Sequence, residues 1–346
     1  MAVKFLLGNK KIFLDFLGSI SKKDNVAILT HNDLDGIASA VFLEEILKAK
    51  GIDIKLIDFL SYKKRMFDEI IEKLEEKKIN KIFITDIGVD ISDIDGFENL
   101  RRKFDVFLID HHPINHEYKD IKNIIKTEGG DCVAFVVYEL GENLFDRKKW
   151  EWLVCSAIIS DMAYKKREIL EFVESIYPEI NGQNIEDSEI GELSKTISSA
   201  LVYYKNNLKK VYDLIKRKNL KDLDKCRKII DSEIDKYIKK FEKEAEFYPE
   251  KDLYFFIFDS KFDIKSIITT IISVKKPNST FVILYDTGKG EFRISARNQN
   301  KQVDMNELMK KGIKGLENAT GGGHVPAAGA NFMKKDLEIF KRNILS

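Results

Sequence analysis

Short apolar, β-favouring runs recur through the first third of the chain, at 26–29, 52–58, 81–85 and 104–109. Between them apolar residues return at helical spacing, as at 37–50 and 64–77. Strands alternating with helices predict βαβ units, because a parallel connection must cross over and leaves a helix lying on the sheet. Further helices are predicted over 131–145 and 150–164. Near residue 190 the pattern changes to long helices, and beyond Pro249 strands return at 253–258, 280–285 and 291–296. The last two are joined by Asp286-Thr287-Gly288-Lys289-Gly290, which predicts a hairpin. The expected fold class is thus α/β: a doubly wound, mostly parallel sheet over 1–189, a helical linker over 190–248 and a smaller α+β domain over 249–346. At the amino terminus Phe5-Leu6-Leu7 and Ile12-Phe13-Leu14 flank Gly8-Asn9-Lys10-Lys11, which reads as an amphipathic helix packed on the core.

A chain of 346 residues suits two domains, and 44% hydrophobic residues with only five prolines exclude a disordered one. The amino-terminal apolar runs are too short for a signal peptide or a membrane span, so no membrane partner is expected. Cys132, Cys155 and Cys226 are odd in number and lack C-x-x-C spacing. They suggest neither a disulfide framework nor a thiolate zinc site, and a cytoplasmic location follows. A net charge of +1 does not announce a nucleic-acid binder, so any such contact must come from local patches. Residues 205–243 hold 14 Lys/Arg against 7 Asp/Glu and read as a solvated face, with a phosphate-tracking surface as the alternative. Tyr203, Tyr204, Tyr212 and Tyr237 in this region fit core positions as well as base stacking.

The chemistry lies where acids and histidines fall relative to the strands. The first strand runs into Thr30-His31-Asn32-Asp33-Leu34-Asp35-Gly36, the third into Asp86, and the fourth into Asp110-His111-His112. All are carboxyl ends, where open α/β sheets place their ligands. Asp161, in Ser160-Asp161-Met162, ends an apolar helical run, and an unpaired buried carboxylate there is costly without a cation. Singly these features are ordinary: Asp33 and Asp35 fit a loop with a helix cap, and His111-His112-Pro113 fits a surface turn. Together they point to a metal site. Several carboxylates cannot stay ionised side by side without cations, and their mixture with imidazole suits Mn²⁺. Two cations about 3.5–4 Å apart can neutralise phosphoryl oxygens during in-line attack, which is phosphoester hydrolysis. His116, in the polar run 115–120, is given no part.

The blocks His31-Asn32-Asp33-Leu34-Asp35-Gly36, Thr85-Asp86, Asp110-His111-His112 and Ser160-Asp161 stand in order and at compatible spacing, and by them the first half of the chain resembles the DHH phosphoesterases. The resemblance implies that Asp33 and Asp35 hold about one metal each, that Asp86 bridges the metals and is catalytic, and that His111 and Asp161 complete the second site. By the same resemblance His112 faces the scissile phosphate as a catalytic group. His31 stands two residues before Asp33, where one version of the family pattern places a histidine four before. The closer spacing resembles the RecJ-type and archaeal nuclease branch and leaves His31 either a metal ligand or a hydrogen-bonding neighbour of one.

Gly321-Gly322-Gly323-His324 resembles the GGGH motif of the DHH-associated domain, which closes over the metal crevice and grips the substrate. Glycines let the backbone approach an anion. Arg297 resembles the arginine that contacts a substrate phosphate, a task its bidentate fork suits, and Asn298 is taken with it as substrate-binding. The resemblance therefore implies two Mn²⁺, with Mg²⁺ or Co²⁺ as substitutes, and a single-strand exonuclease acting on RNA or DNA. The alternatives are a nanoRNase-like or pAp-phosphatase-like enzyme, or a cyclic-dinucleotide phosphodiesterase. A role of a different class, as a replisome or helicase partner with secondary nuclease activity, also fits.

Overall fold

The computed structural model of the chain describes residues 3–62, 65–89, 93–114 and 121–346. The chain divides into two compact units, Met1–Asp224 and Lys225–Ser346.

The first unit begins with β1 (Phe5–Leu7), α1 (Lys10–Ser19), β2 (Val26–His31), α2 (Leu34–Ala49), β3 (Ile54–Leu60) and α3 (Asp68–Glu76). It continues with β4 (Lys81–Thr85), α4 (Ile94–Lys103), β5 (Asp105–Asp110) and β6 (Ile124–Thr127). The strand order is β1-β6-β5-β4-β2-β3. Strands β2 to β6 are parallel, and β1 joins the edge antiparallel to β6. The doubly wound sheet expected from the alternating pattern is present. Successive side chains on a strand point to opposite faces, which explains why the strands read as continuous apolar runs. Phe83 and Phe107 meet Phe13 and Phe16 of α1 on one face, while Ile82, Ile84, Val106 and Leu108 pack with Ile70, Leu74, Phe97 and Leu100 on the other. After β3 the chain crosses back over β2 to form β4, so the winding reverses between β2 and β4. The carboxyl ends of those two strands open at that switch point.

The single amphipathic helix expected at the amino terminus is not found. Phe5–Leu7 pairs with β6, and the helix starts only at Lys10, where the Asn9 side chain accepts a hydrogen bond from the Ile12 amide at 3.1 Å. The polar Gly8-Asn9 pair, taken as part of a helix face, is the boundary that caps one.

The helices α5 (Val133–Leu140), α6 (Glu151–Ser160), α7 (Arg167–Ile176), α8 (Glu189–Tyr203) and α9 (Leu208–Lys216) complete this unit. The expected helices over 131–145 and 150–164 are shorter at both ends. Ser194 of α8 donates to the carbonyl of Ser156 at 2.8 Å. Tyr212 and Lys216 of α9 reach Glu44, with Tyr212 Oη 2.5 Å and Lys216 Nζ 3.0 Å from its carboxylate. Part of the basic stretch is thus neutralised on the fold. Tyr212 and Tyr237 are core residues, 2% and 4% exposed.

The long helix α10 (Lys221–Glu244) leads into the second unit, which contains β7 (Glu246–Tyr248), β8 (Leu253–Asp259), α11 (Lys265–Lys275), β9 (Thr280–Asp286) and β10 (Glu291–Arg297). It ends with α12 (Met305–Gly312), β11 (Thr320–His324), β12 (Ala327–Met333) and α13 (Leu337–Leu345). The order is β11-β12-β10-β9-β8-β7, with β8 and β9 parallel across α11 and the expected β9–β10 hairpin antiparallel. The glycine-rich segment forms the edge strand β11, with Gly321, Gly322 and Gly323 opposite Ala330, Gly329 and Ala328. A side chain on Gly323, at φ 149°, would come within 2.6 Å of the Ala327 carbonyl oxygen, so close pairing to β12 requires glycine there.

Candidate metal centre

The turn after β2 is built from buried polar contacts. Thr30 Oγ1 donates to the Gly36 carbonyl at 2.8 Å and accepts from Thr85 Oγ1 at 2.8 Å, tying the end of β2 to the end of β4. Asp33 caps α2, its Oδ1 accepting the Gly36 amide at 3.0 Å. A Cβ on Gly36 would lie 2.3 Å from the His31 carbonyl oxygen, so the tight turn from strand to helix excludes any side chain there. Asp35, in the first turn of α2, is 2% exposed and accepts the amides of Val133 and Ala134 at 2.8 and 2.5 Å. Those amides open α5, so a helix N-terminus steers this carboxylate.

Asp86 follows β4 with φ 58°, a left-handed conformation held by its amide, which donates to the Ile109 carbonyl at 3.0 Å. Its carboxylate is 2% exposed, and Oδ2 has no hydrogen-bond partner among the described residues. His111 Nδ1 donates to the Asp131 carbonyl at 2.5 Å, which leaves Nε2 as the lone-pair nitrogen, 3.4 Å from Asp86 Oδ1. Asp161 is the C-cap residue of α6, followed by left-handed Met162, and its Oδ2 is 3.6 Å from His111 Nδ1. A carboxylate at a helix C-terminus faces the unfavourable end of the dipole and needs a positive neighbour.

Three sets of donors form here, Asp86 with His111 and His112, His31 with Asp33 and Asp86, and Asp35 with His111 and Asp161; within each set the ligand atoms lie within 4.8 Å of one another. Asp86 belongs to two of them. His31 Nδ1 is 2.8 Å from Asp33 Oδ2 and 3.5 Å from Asp86 Oδ2, so it is a hydrogen-bonding neighbour of Asp33 that also stands within a donor set.

Electrostatics agrees with cation uptake. Burial, then the charge of Asp86, pushes the Asp35 carboxyl up to about 7. Burial raises Asp161 well above the carboxylate range, and Asp35 and Asp86 add to this against the opposing pull of His111. Burial disfavours charge on His31 and His111, yet surrounding carboxylates lift both well above the ordinary imidazole value. Four carboxylates with two imidazoles carry more negative charge than the pocket can hold. The unpartnered Asp86 oxygen and this donor chemistry fit divalent cations bound through oxygen and imidazole nitrogen.

Residues 25–164 match the DHH family, N-terminal domain, and residues 253–344 match the DHHA1 domain. The chain belongs to the DHH family. Among solved structures, this DHH-family chain is similar to RecJ in complex with Mn²⁺ from Thermus thermophilus, with a TM-score of 0.73 and 15% identity over 97% of this chain and 53% of that one. It is also similar to exonuclease RecJ bound to manganese, with a TM-score of 0.71 and 14% identity over 99% and 94% of the two chains. CDC45 from Entamoeba histolytica gives a TM-score of 0.65 and 8% identity over 97% of each chain. At such identities the likeness is one of fold. The chain spans about half the length of the Thermus RecJ, and no curated protein matches it in sequence.

In the second unit, Arg297 ends β10, and its Nε is buried without a hydrogen-bond partner among the described residues. Asn298, expected beside Arg297 in substrate binding, is occupied by hydrogen bonds within its own unit. It is fully buried, its amide donating to the Asn278 carbonyl at 3.0 Å and its Oδ1 accepting the Gln302 amide at 3.0 Å, so it fastens the turn after β10. Gly323 donates its amide to Asn306 Oδ1 at 3.1 Å, and His324 ends the edge strand. His116 lies outside the described residues.

Three neighbours of the DHH-family site escaped the sequence reading. Tyr62, just beyond β3, places its ring 5.0 Å from that of His31. Lys126 is a lone charge in the buried strand β6, and that isolation was visible in Ile124-Ile125-Lys126-Thr127. The Asp131 backbone carbonyl, which orients His111, carries no side-chain signal.

Proposed function

We propose that this DHH-family chain hydrolyses phosphodiester bonds at a two-metal centre, as an exonuclease on single-stranded RNA or DNA. The observation that carries the reading is the Asp86 carboxylate, which belongs to two donor sets at once and has an oxygen without a hydrogen-bond partner among the described residues. Asp33, Asp35, Asp86, His111 and Asp161, with His31 beside Asp33, would hold two Mn²⁺, for which Mg²⁺ or Co²⁺ can substitute. When bound, the ions supply Lewis acidity toward the scissile phosphate and its attacking water.

The chain's own residues supply the remaining parts. The His112 ring faces the phosphate, its Nδ1 fixed on Asp110 Oδ1 at 2.7 Å. Arg297, with its buried Nε unpartnered among the described residues, suits a substrate phosphate, and Gly321–Gly323 with His324 complete that grip. Cys132, Cys155 and Cys226 are all buried and form no disulfide among the described residues, which suits a reducing cytoplasm. No helix among the described residues is long and apolar enough to cross a membrane. The fold shared with CDC45 supports a replication or repair protein as a further partner.

The test is hydrolysis of a labelled dinucleotide beside longer single strands of RNA and DNA, with Mn²⁺ present. Progressive trimming of the long strands supports the exonuclease. Cleavage of the dinucleotide alone moves the assignment to the nanoRNase-like alternative, and no cleavage of any phosphodiester sinks the hydrolase reading.

A further inference from the structure

Lys126 is the only buried Lys or Arg among the described residues, 1% exposed in β6, the strand between β5 and the edge strand β1. An ammonium group there is stable only when fully partnered. It stands opposite Asp110 in the parallel β5–β6 register, with Nζ 2.6 Å from Asp110 Oδ2. The same Nζ lies 3.4 Å from the His112 carbonyl and 3.5 Å from the Pro113 carbonyl, so it also grips the turn that carries the His112 ring.

The remaining bonds follow from donor and acceptor counting. The other Asp110 oxygen accepts from His112 Nδ1 at 2.7 Å. On the far side of the ring, His112 Nε2 is 3.2 Å from Tyr62 Oη, and that oxygen accepts the Gly88 amide at 3.0 Å. An ionised carboxylate only accepts, so the proton of Nδ1 points to Asp110. Tyr62 Oη receives the Gly88 N–H and donates its own O–H to Nε2. One chain of donors therefore runs inward from Lys126 and Tyr62 and leaves a single tautomer of His112 satisfied.

We propose that Lys126 and Tyr62 are positioning residues for His112: Lys126 acts through Asp110 to fix the ring plane and the proton on Nδ1, and Tyr62 fixes the ring from its other side through the O–H it donates to Nε2. This rests on the reading of His112 as the group that faces the phosphate. A purely structural Lys126–Asp110 pair would stabilise the sheet without controlling the ring.

The experiment is ¹⁵N NMR of the histidine-labelled full chain with diamagnetic Mg²⁺, alongside kinetics of Lys126→Met and Tyr62→Phe. Five histidines make the ring signals separable, and loss of one in His112→Gln assigns it. Wild-type His112 should show the Nδ1-protonated tautomer, and Lys126→Met should show a mixture of tautomers. In that variant kcat should fall about tenfold or more while KM and metal affinity stay within about twofold, the pattern of an interaction made at the transition state. Tyr62→Phe, at a partly exposed position, should lower kcat about three- to tenfold and mobilise the ring. A folded Lys126→Met with the wild-type tautomer and kcat overturns the proposal. Should Lys126→Met not fold, a Tyr62→Phe variant with an unchanged ring signal and unchanged kcat overturns it instead. If the wild-type chain hydrolyses nothing, the function falls, and the tautomer of the variants still decides the positioning role.

Discussion

Asp86 Oδ1 lies 3.4 Å from His111 Nε2. The relationship follows from strand order. Asp86 follows β4, which runs between β5, followed by His111 one residue past its end, and β2, which ends at His31. The left-handed turn at Asp86 sets its carboxylate between the two, with Oδ2 3.5 Å from His31 Nδ1. A carboxylate flanked by donors from both neighbouring strands is what a bridging ligand between two cations requires.

Asp86→Asn keeps the shape and tolerates the left-handed backbone, so the fold should survive. Hydrolysis should fall about a hundredfold or more, because the anionic ligand proposed to be shared by the two metals is gone. The metal-free variant should melt at or above the wild-type temperature, since one of the charges that raise Asp35 and Asp161 has been removed. Activity assays beside thermal melts in chelator check both parts.

The metal-free chain should lose stability as pH rises. The Asp35 carboxyl stands at about 7 when folded, above an ordinary value near 4, so its contribution is fully present below about pH 4 and is lost as pH rises through about 7. Asp161 has the same sign, and so do His31 and His111, which are raised above the ordinary imidazole value. Melting in chelator should therefore drop by several degrees between about pH 6 and pH 8, and saturating Mn²⁺ should remove most of that drop. A flat profile in chelator would contradict the charge crowding.

Gly36→Ala should displace the turn that carries Asp33 and Asp35, because its Cβ would meet the His31 carbonyl oxygen at 2.3 Å. Lower thermal stability and Mn²⁺ affinity weakened about tenfold or more are expected, by calorimetry on the purified variant.

Arg297→Ala and His324→Ala should leave Mn²⁺ affinity unchanged if the first unit supplies every ligand. Arg297→Ala should raise KM with kcat nearly constant, as for a contact equally strong in ground and transition states, and should flatten the salt dependence of substrate affinity. His324→Ala should change both constants. Loss of metal binding in either folded variant would mean that the second unit contributes to the metal centre.

The sheet was legible because strands buried on both faces read as apolar runs, and the acids stood out because they fall where those runs stop. What escaped notice depends on lateral neighbours. Lys126 meets Asp110 only once β5 and β6 pair in register, and Tyr62 reaches His112 only because both stand at carboxyl ends of one sheet. Asn298 looked like a partner of Arg297, but successive residues at a strand end turn opposite ways, and its amide closes a buried turn. That Gly321–Gly323 form an edge strand was not legible, because close edge pairing to Ala327–Met333 asks for the same missing side chains as a turn or an anion-binding backbone does.

The central claim is a two-metal hydrolytic centre organised by Asp86. Its most direct test is a calorimetric titration of Mn²⁺ into the metal-free chain, with hydrolysis of a labelled single strand followed in the same samples. The account predicts two ions bound per chain and activity that rises with their occupancy, vanishes in excess chelator and returns more fully with Mn²⁺ than with Mg²⁺. Full turnover in excess chelator, or no Mn²⁺ bound by a folded chain, would contradict it.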